Sequence, residues 1–194
     1  MAAGTPGNLR IVGGRFRGRR LRVPAQPGLR PTADRVRETL FNWLQPVIAG
    51  ARCLDPFAGS GALGFEAASR GAAEVLMIEQ AEAVVRALNA NVAVLGAQQV
   101  RVVRGDALQW LKRSGRPFDV VFLDPPFADG LLSPTCRLLA RNGWLAPNGR
   151  VYLEAPAKSG FPELPEGWRL VRDRGAGQVR YGLVETGGEF GNSA

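Results

Sequence analysis

Cys53-Leu54-Asp55-Pro56-Phe57-Ala58-Gly59-Ser60-Gly61-Ala62-Leu63-Gly64-Phe65-Glu66 reads as a short strand ending at Asp55, a glycine turn, and a helix starting near Ala62. Gly59, Gly61 and Gly64 follow the G-x-G-x-x-G spacing, which also occurs in dinucleotide sites and says little alone. Asp55 stands before the first glycine, where it would repel a pyrophosphate but welcome a ligand ammonium. The next strand, Glu74-Val75-Leu76-Met77-Ile78, ends at Glu79, where a carboxylate can take both hydroxyls of a ribose. S-adenosylmethionine has an ammonium, a ribose and no phosphate, so the charges fit it better than NAD.

Two further strand ends extend the pattern. Val100 to Arg104 reads as a strand closed by Gly105-Asp106-Ala107. Asp106 there could accept a hydrogen bond from an adenine amine, with the Ala107 amide beside the ring. It could equally cap a helix over Ala107 to Arg113. Then Phe118-Asp119-Val120-Val121-Phe122-Leu123-Asp124-Pro125-Pro126-Phe127 reads as a fully buried strand of a parallel sheet. Proline cannot extend the hydrogen-bond ladder, so the strand stops at Asp124. A carboxylate, rigid carbonyls and a ring then gather at the carboxyl end of a strand, where open α/β sheets bind ligands. Such a corner suits gripping a planar base with an exocyclic amine, against the plainer reading of a strand-to-loop turn.

The alternation of strands and helices implies an α/β fold with a mostly parallel sheet covered on both faces. Strands are expected near 51–55, 75–79, 100–104, 118–124 and 150–154. Thr32 can cap a helix to about Leu44 with Val36, Leu40, Trp43, Leu44 and Val47 on its apolar face and Arg35 and Arg37 opposite. A helix over 81–95 packs Val84, Val85, Leu88, Val92 and Leu95. Leu131 to Leu145 reads as helix then turn, burying Leu138, Leu139, Trp144 and Leu145. Strands near 168–174 and 179–186 would join through Gly175-Ala176-Gly177 into a hairpin. A polar tail, 188–194, follows.

The 194 residues suit one compact catalytic domain, expected over 32–187 with no later boundary. Cys53 and Cys136 are isolated, which points to a reducing compartment, the cytoplasm, without a disulfide framework or metal spacing. The chain has no histidine, which removes Ser-His-Asp chemistry and His-ligated metal. No apolar run approaches a membrane span and no signal-peptide core opens the chain. Residues 1–37 hold nine arginines (Arg10, Arg15, Arg17, Arg19, Arg20, Arg22, Arg30, Arg35 and Arg37) against Asp34 alone, a local charge equal to the +8 of the whole chain. A neutral body therefore carries a basic N-terminal arm, 1–31. Arginine favours bidentate phosphate contacts and base stacking, so a nucleic-acid partner is expected. Phe16 and the flanking glycines speak against a mere solubilising tail, since Leu9 to Val12 and Arg19 to Val23 could pair as a hairpin.

Residues 51–127 resemble the class I, Rossmann-like methyltransferases that act on exocyclic amines of bases. Arg10 to Leu21 (RIVGGRFRGRRL) and Arg30 to Leu44 (RPTADRVRETLFNWL) narrow the resemblance to the bacterial RsmD family, from about residue 9 to about residue 185. That resemblance implies a 16S ribosomal RNA guanine-N2 methyltransferase with a seven-stranded, mostly parallel sheet and an antiparallel C-terminal edge strand. It implies S-adenosylmethionine as cofactor, held by Asp55, Phe57, Gly59, Ser60, Gly61, Glu79, Asp106 and Ala107. Asp124, Pro125, Pro126 and Phe127 would be catalytic, the nine arginines would meet RNA, and no metal is needed. The expected partner is 16S rRNA in the small ribosomal subunit or its precursor, met by a monomer. Methylation of adenine N6 in DNA or RNA is the nearest alternative. An oxidoreductase on the glycine loop and a non-catalytic RNA-binding module are more distant ones.

Overall fold

A computed structural model of the chain describes residues 7–24, 33–127 and 130–187. Thr32, Arg30 and the tail over 188–194 lie outside the described residues. The chain folds as two compact units, one up to Ala107 and one from Leu108. This differs from the expected division into arm and body, because the N-terminal hairpin is built into the first unit.

In the first unit, β1 (Gly7–Arg10) and β2 (Arg20–Val23) pair antiparallel with Leu9 opposite Leu21. Alternation sorts their side chains: Leu9, Leu21 and Val23 are buried, while Arg10, Arg20 and Arg22 face out. Helix α1 (Asp34–Ile48) follows. It buries Val36, Arg37, Leu40, Phe41, Leu44 and Ile48, a spacing of three and four that makes one helical face. That face is turned from the expected one: Trp43 and Val47 are only half-buried, and Arg37 is inside at 1 % exposure. The cause is Glu66, whose buried carboxylate gives Arg37 a counter-charge within the unit. The helix runs on past Leu44 with Pro46 in its last turn, where the missing amide costs one helical hydrogen bond.

Strand β3 (Arg52–Asp55), helix α2 (Ala62–Ser69), strand β4 (Glu74–Glu79), helix α3 (Glu82–Leu95) and strand β5 (Val100–Arg104) complete the unit. The three strands are parallel in the order β5-β4-β3. Every residue of α2 is buried, and α3 buries Val84, Leu88, Asn91 and Leu95. Gly96 ends α3 at φ +61, the left-handed cap that lets its amide reach back to the last carbonyls.

The second unit comprises most of α4 (Ala107–Leu111), β6 (Phe118–Leu123), α5 (Leu132–Arg141), β7 (Leu145–Pro156), β8 (Trp168–Ala176) and β9 (Val179–Thr186). The α4 helix is shorter than expected and β7 begins earlier, taking in Leu145. Leu139 and Trp144 are buried as expected, whereas Leu138 and Leu145 are half-buried. The core is Val120, Val121, Phe122, Leu123, Val151, Tyr152 and Leu153, and Phe118 stacks on Trp144 with centroids 6.3 Å apart. Strand β7 pairs parallel with β6, and β9 lies antiparallel between β7 and β8. The antiparallel strand is thus one place in from the edge, and β8 is the edge. Ala176 pairs with Val179, so the hairpin turn is the two-residue Gly177-Gln178 rather than Gly175 to Gly177. The seven strands form a mostly parallel sheet ordered β5-β4-β3-β6-β7-β9-β8, the Rossmann-like arrangement expected from the sequence.

Candidate active site

The glycine loop of the first unit is tied to the strand ends around it. Glu79, half-buried at the end of β4, accepts the Gly59 amide on Oε2 at 3.1 Å and the Ala81 amide on Oε1 at 2.8 Å. Its own carbonyl accepts the Gly105 amide at 3.0 Å, which brings the turn before Asp106 to the same place. Asp55 is 3 % exposed, and its Oδ2 accepts the Gly64 amide at 3.2 Å in the first turn of α2. A carboxylate there satisfies an amide that has no partner within the helix and favours the positive end of the helix dipole. Asp55 therefore shapes the loop from beneath. Gly61 enters α2 at φ +77, and a side chain there would collide with Phe65 and Leu88. Gly64 has a different reason, since a methyl group would run into Met77 of β4. Ser60 and Ala107 are buried, Phe57 is half-buried and Asp106 is exposed.

In the second unit, β6 is buried to Leu123 and then breaks. Asp124 is half-buried, Pro125 is buried, and Pro126 and Phe127 are exposed. Phe127 shows 43 % of its surface, unusual for a large apolar ring. It borders a pocket of about 260 Å³ whose walls include Pro125, Pro126, Leu131, Glu154 and Phe161. The buried Glu154 accepts the Tyr152 hydroxyl on Oε1 at 2.6 Å. Burial first, then the Glu154 charge and hydrogen bond, then Asp124, push the Tyr152 hydroxyl well above the ordinary tyrosine range, so it remains a donor.

The arginines divide. Arg10, Arg15, Arg17, Arg19, Arg20, Arg22 and Arg35 are exposed. Arg37 is not, which corrects its expected contact with RNA: its guanidinium is held by Asp34, the Arg10 carbonyl at 2.8 Å and the Glu66 carboxylate at 3.6 Å. Glu66 is the anchor that sequence reasoning missed. Fully buried, it accepts the Val12 and Gly13 amides at 2.9 and 2.8 Å and pairs with Arg70 at 2.8 Å. Ser69 adds two ties, accepting the Phe16 amide and donating to the Gly13 carbonyl. Side chains at Gly13 and Gly14 would strike Arg70 and the Ser69 carbonyl, which explains the glycine pair. A lone carboxylate within the otherwise apolar run Ala62 to Ala68 was the available signal.

The family model described as conserved hypothetical protein 95 matches residues 9–185. The ribosomal RNA small subunit methyltransferase D of Escherichia coli K12 is 54 % identical over 179 residues, covering 92 % of this chain and 90 % of its own. The chain belongs to the RsmD family. The Haemophilus influenzae ribosomal RNA small subunit methyltransferase D is 45 % identical over 183 residues, 92 % of this chain and 94 % of its own. The solved structure of Escherichia coli yhhF superposes with a TM-score of 0.90 at 50 % identity, covering 94 % of this chain and 100 % of that one.

As an RsmD-family methyltransferase the chain uses S-adenosylmethionine. Its donor set suits that molecule. The half-exposed Glu79 carboxylate has acceptor capacity left for a vicinal diol after taking two amides. The loop it braces allows close backbone approach, because Gly59 and Gly61 both adopt positive φ. No group of described residues could hold a metal, and no helix among them is long and apolar enough to cross a membrane.

Proposed function

We propose that this chain methylates the exocyclic N2 amine of a guanine in the RNA of the small ribosomal subunit. The observation that carries the reading is Phe127, an exposed ring set directly after a buried strand and the Asp124-Pro125-Pro126 turn. The family supports ribosomal RNA as the substrate class, and the relatives' names specify the small subunit.

S-adenosylmethionine supplies an electrophilic methyl carbon on a sulfonium. Glu79 and Asp106 hold its ribose and adenine, while Asp55 keeps the glycine loop in register beside it. A base edge inside folded RNA is out of reach, so the target guanine leaves its stack. Phe127 then stacks on the purine face, and Asp124 with the Pro125 carbonyl accepts hydrogen bonds from the N2 amine. These acceptors orient the nitrogen and favour lone-pair character as the new bond forms. An arylamine loses its proton easily once methylated, so no strong general base is required. Positioning and electrostatics carry the rate. The outer face of the hairpin supplies phosphate contacts through Arg10, Arg20 and Arg22, with Arg15, Arg17, Arg19 and Arg35 nearby in sequence.

The test is methyl transfer from labelled S-adenosylmethionine to small-subunit particles, and to naked 16S rRNA, from cells lacking this protein, followed by nucleoside analysis. N2-methylguanosine is expected, and N6-methyladenosine would move the reading to adenine. Asp124→Ala should abolish turnover while cofactor binding, read by calorimetry, survives. Strong residual turnover in that variant would remove Asp124 from its role.

A further inference from the structure

We infer that Glu154, oriented by Tyr152, reads the N1–H of the target guanine and so selects guanine over bases that lack this donor. The inference rests on the proposed function and deepens it. Phe127 and the prolines give the pocket a stacking wall but no base preference, because every base has an apolar face. Asp124 and the Pro125 carbonyl accept from an amine, which adenine also presents. Something else must tell the two purines apart.

Glu154 is the acidic residue in the pocket wall, 5 % exposed, and it lines the same cavity as Pro125, Pro126 and Phe127. Its place is set by the sheet. Residues 152 and 154 are two apart on β7, so their side chains share one face of the strand. The Tyr152 hydroxyl donates to Glu154 Oε1 at 2.6 Å and fixes the carboxylate rotamer. Tyr152 is itself fully buried, and Asp124 is among the charges that act on it, which links this pair electrostatically to the amine-gripping residue. A carboxylate is an acceptor only, with capacity on each oxygen for more than one donor. Guanine offers N1–H next to the N2 amine along one edge. Adenine and 2-aminopurine offer a lone pair at N1, which a carboxylate repels. A buried acceptor left without its donor discriminates more strongly than a missing methylene in an apolar pocket.

The experiment uses the full chain and a small-subunit RNA in which the methylated guanine, located by product mapping, is replaced through splinted ligation by 2-aminopurine or adenine. 2-Aminopurine keeps the N2 amine and lacks N1–H. The unaltered protein should methylate the guanine RNA with a kcat/KM at least about tenfold above the 2-aminopurine RNA. Glu154→Gln, whose amide can donate, should shrink or invert that ratio while leaving calorimetric affinity for S-adenosylmethionine unchanged. Tyr152→Phe, a positioning change, should lower the ratio by a smaller factor. Equal rates on guanine and 2-aminopurine with the unaltered protein overturn the inference whether or not the variants fold. So does a folded Glu154→Gln protein with an undiminished ratio. If the guanine RNA yields no N2-methylguanosine at all and the adenine RNA is methylated, the underlying reading fails instead, and the two failures are told apart by product identity.

Discussion

At the scale of single residues, Glu66 ties together the segment after β1, helix α1 and helix α2. One carboxylate with no exposed surface takes two backbone amides and faces two guanidinium groups, with Arg70 also resting over the Phe41 ring at 5.3 Å. Removing one partner of a buried ionic group leaves the others uncompensated, a loss of about 3–5 kcal/mol in comparable cases. Glu66→Ala is therefore expected to cost stability of about that size in denaturant unfolding, and to open the 12–16 segment to proteolysis. A loss below about 1 kcal/mol would show that Arg37 and Arg70 find other partners. Glu79, Asp124 and the glycines were legible in the sequence at strand ends and turns, since those places impose residue types locally. The sequence concealed Glu66 and Arg37, because a buried ion pair joins residues 29 positions apart and no local periodicity marks it.

At the scale of elements, the hairpin shows what a count of its charges leaves out. Its alternation made the strands legible, and Leu9, Leu21 and Val23 do face inward. Its charge marked a basic arm, but charge describes only the outer face. The inner face is apolar and must be covered, and the ties from Glu66, Ser69 and the Asn91 amide donating to the Arg22 carbonyl hold it to its own unit. The α1 face was misjudged for a related reason: hydropathy counts Arg37 as outward, while a buried counter-charge draws it in. Replacing Arg20 and Arg22 with alanine leaves Leu21 and Val23 in place, so the fold should survive. RNA affinity should fall, and the slope of log K against log salt should become shallower by about 0.7 to 0.9 for each phosphate no longer neutralised. Calorimetric affinity for S-adenosylmethionine should not change. A slope identical to that of the unaltered protein would place the docking surface elsewhere.

At the scale of the whole molecule, a formal charge of +8 favours polyanions and disfavours crowding more positive charge onto the fold. Acid does that by neutralising carboxylates, and two of them hold segments together. Burial alone would raise the Asp34 carboxyl, but hydrogen bonds from Arg10 and Arg37 and their charges outweigh it and hold it below the usual aspartate range. Asp173, across the β8–β9 hairpin, is held low chiefly by its hydrogen bond from Arg180. A carboxyl that is more acidic folded than unfolded adds stability above the unfolded value, about 3.9, and that stability disappears as pH falls through the lower folded value. Both groups are partly exposed, so each effect is screened and modest. The thermal midpoint should accordingly owe no pH dependence to these groups between pH 6 and about pH 5, and drop as the pH passes below about 4. Asp34→Asn removes a titrating anchor between β1 and α1. Its midpoint should start lower at pH 6 and lose less on acidification, so that the two curves draw together as the pH falls below about 4. Parallel curves from pH 6 to pH 3 would mean that Asp34 holds the hairpin no more tightly when charged than when neutral.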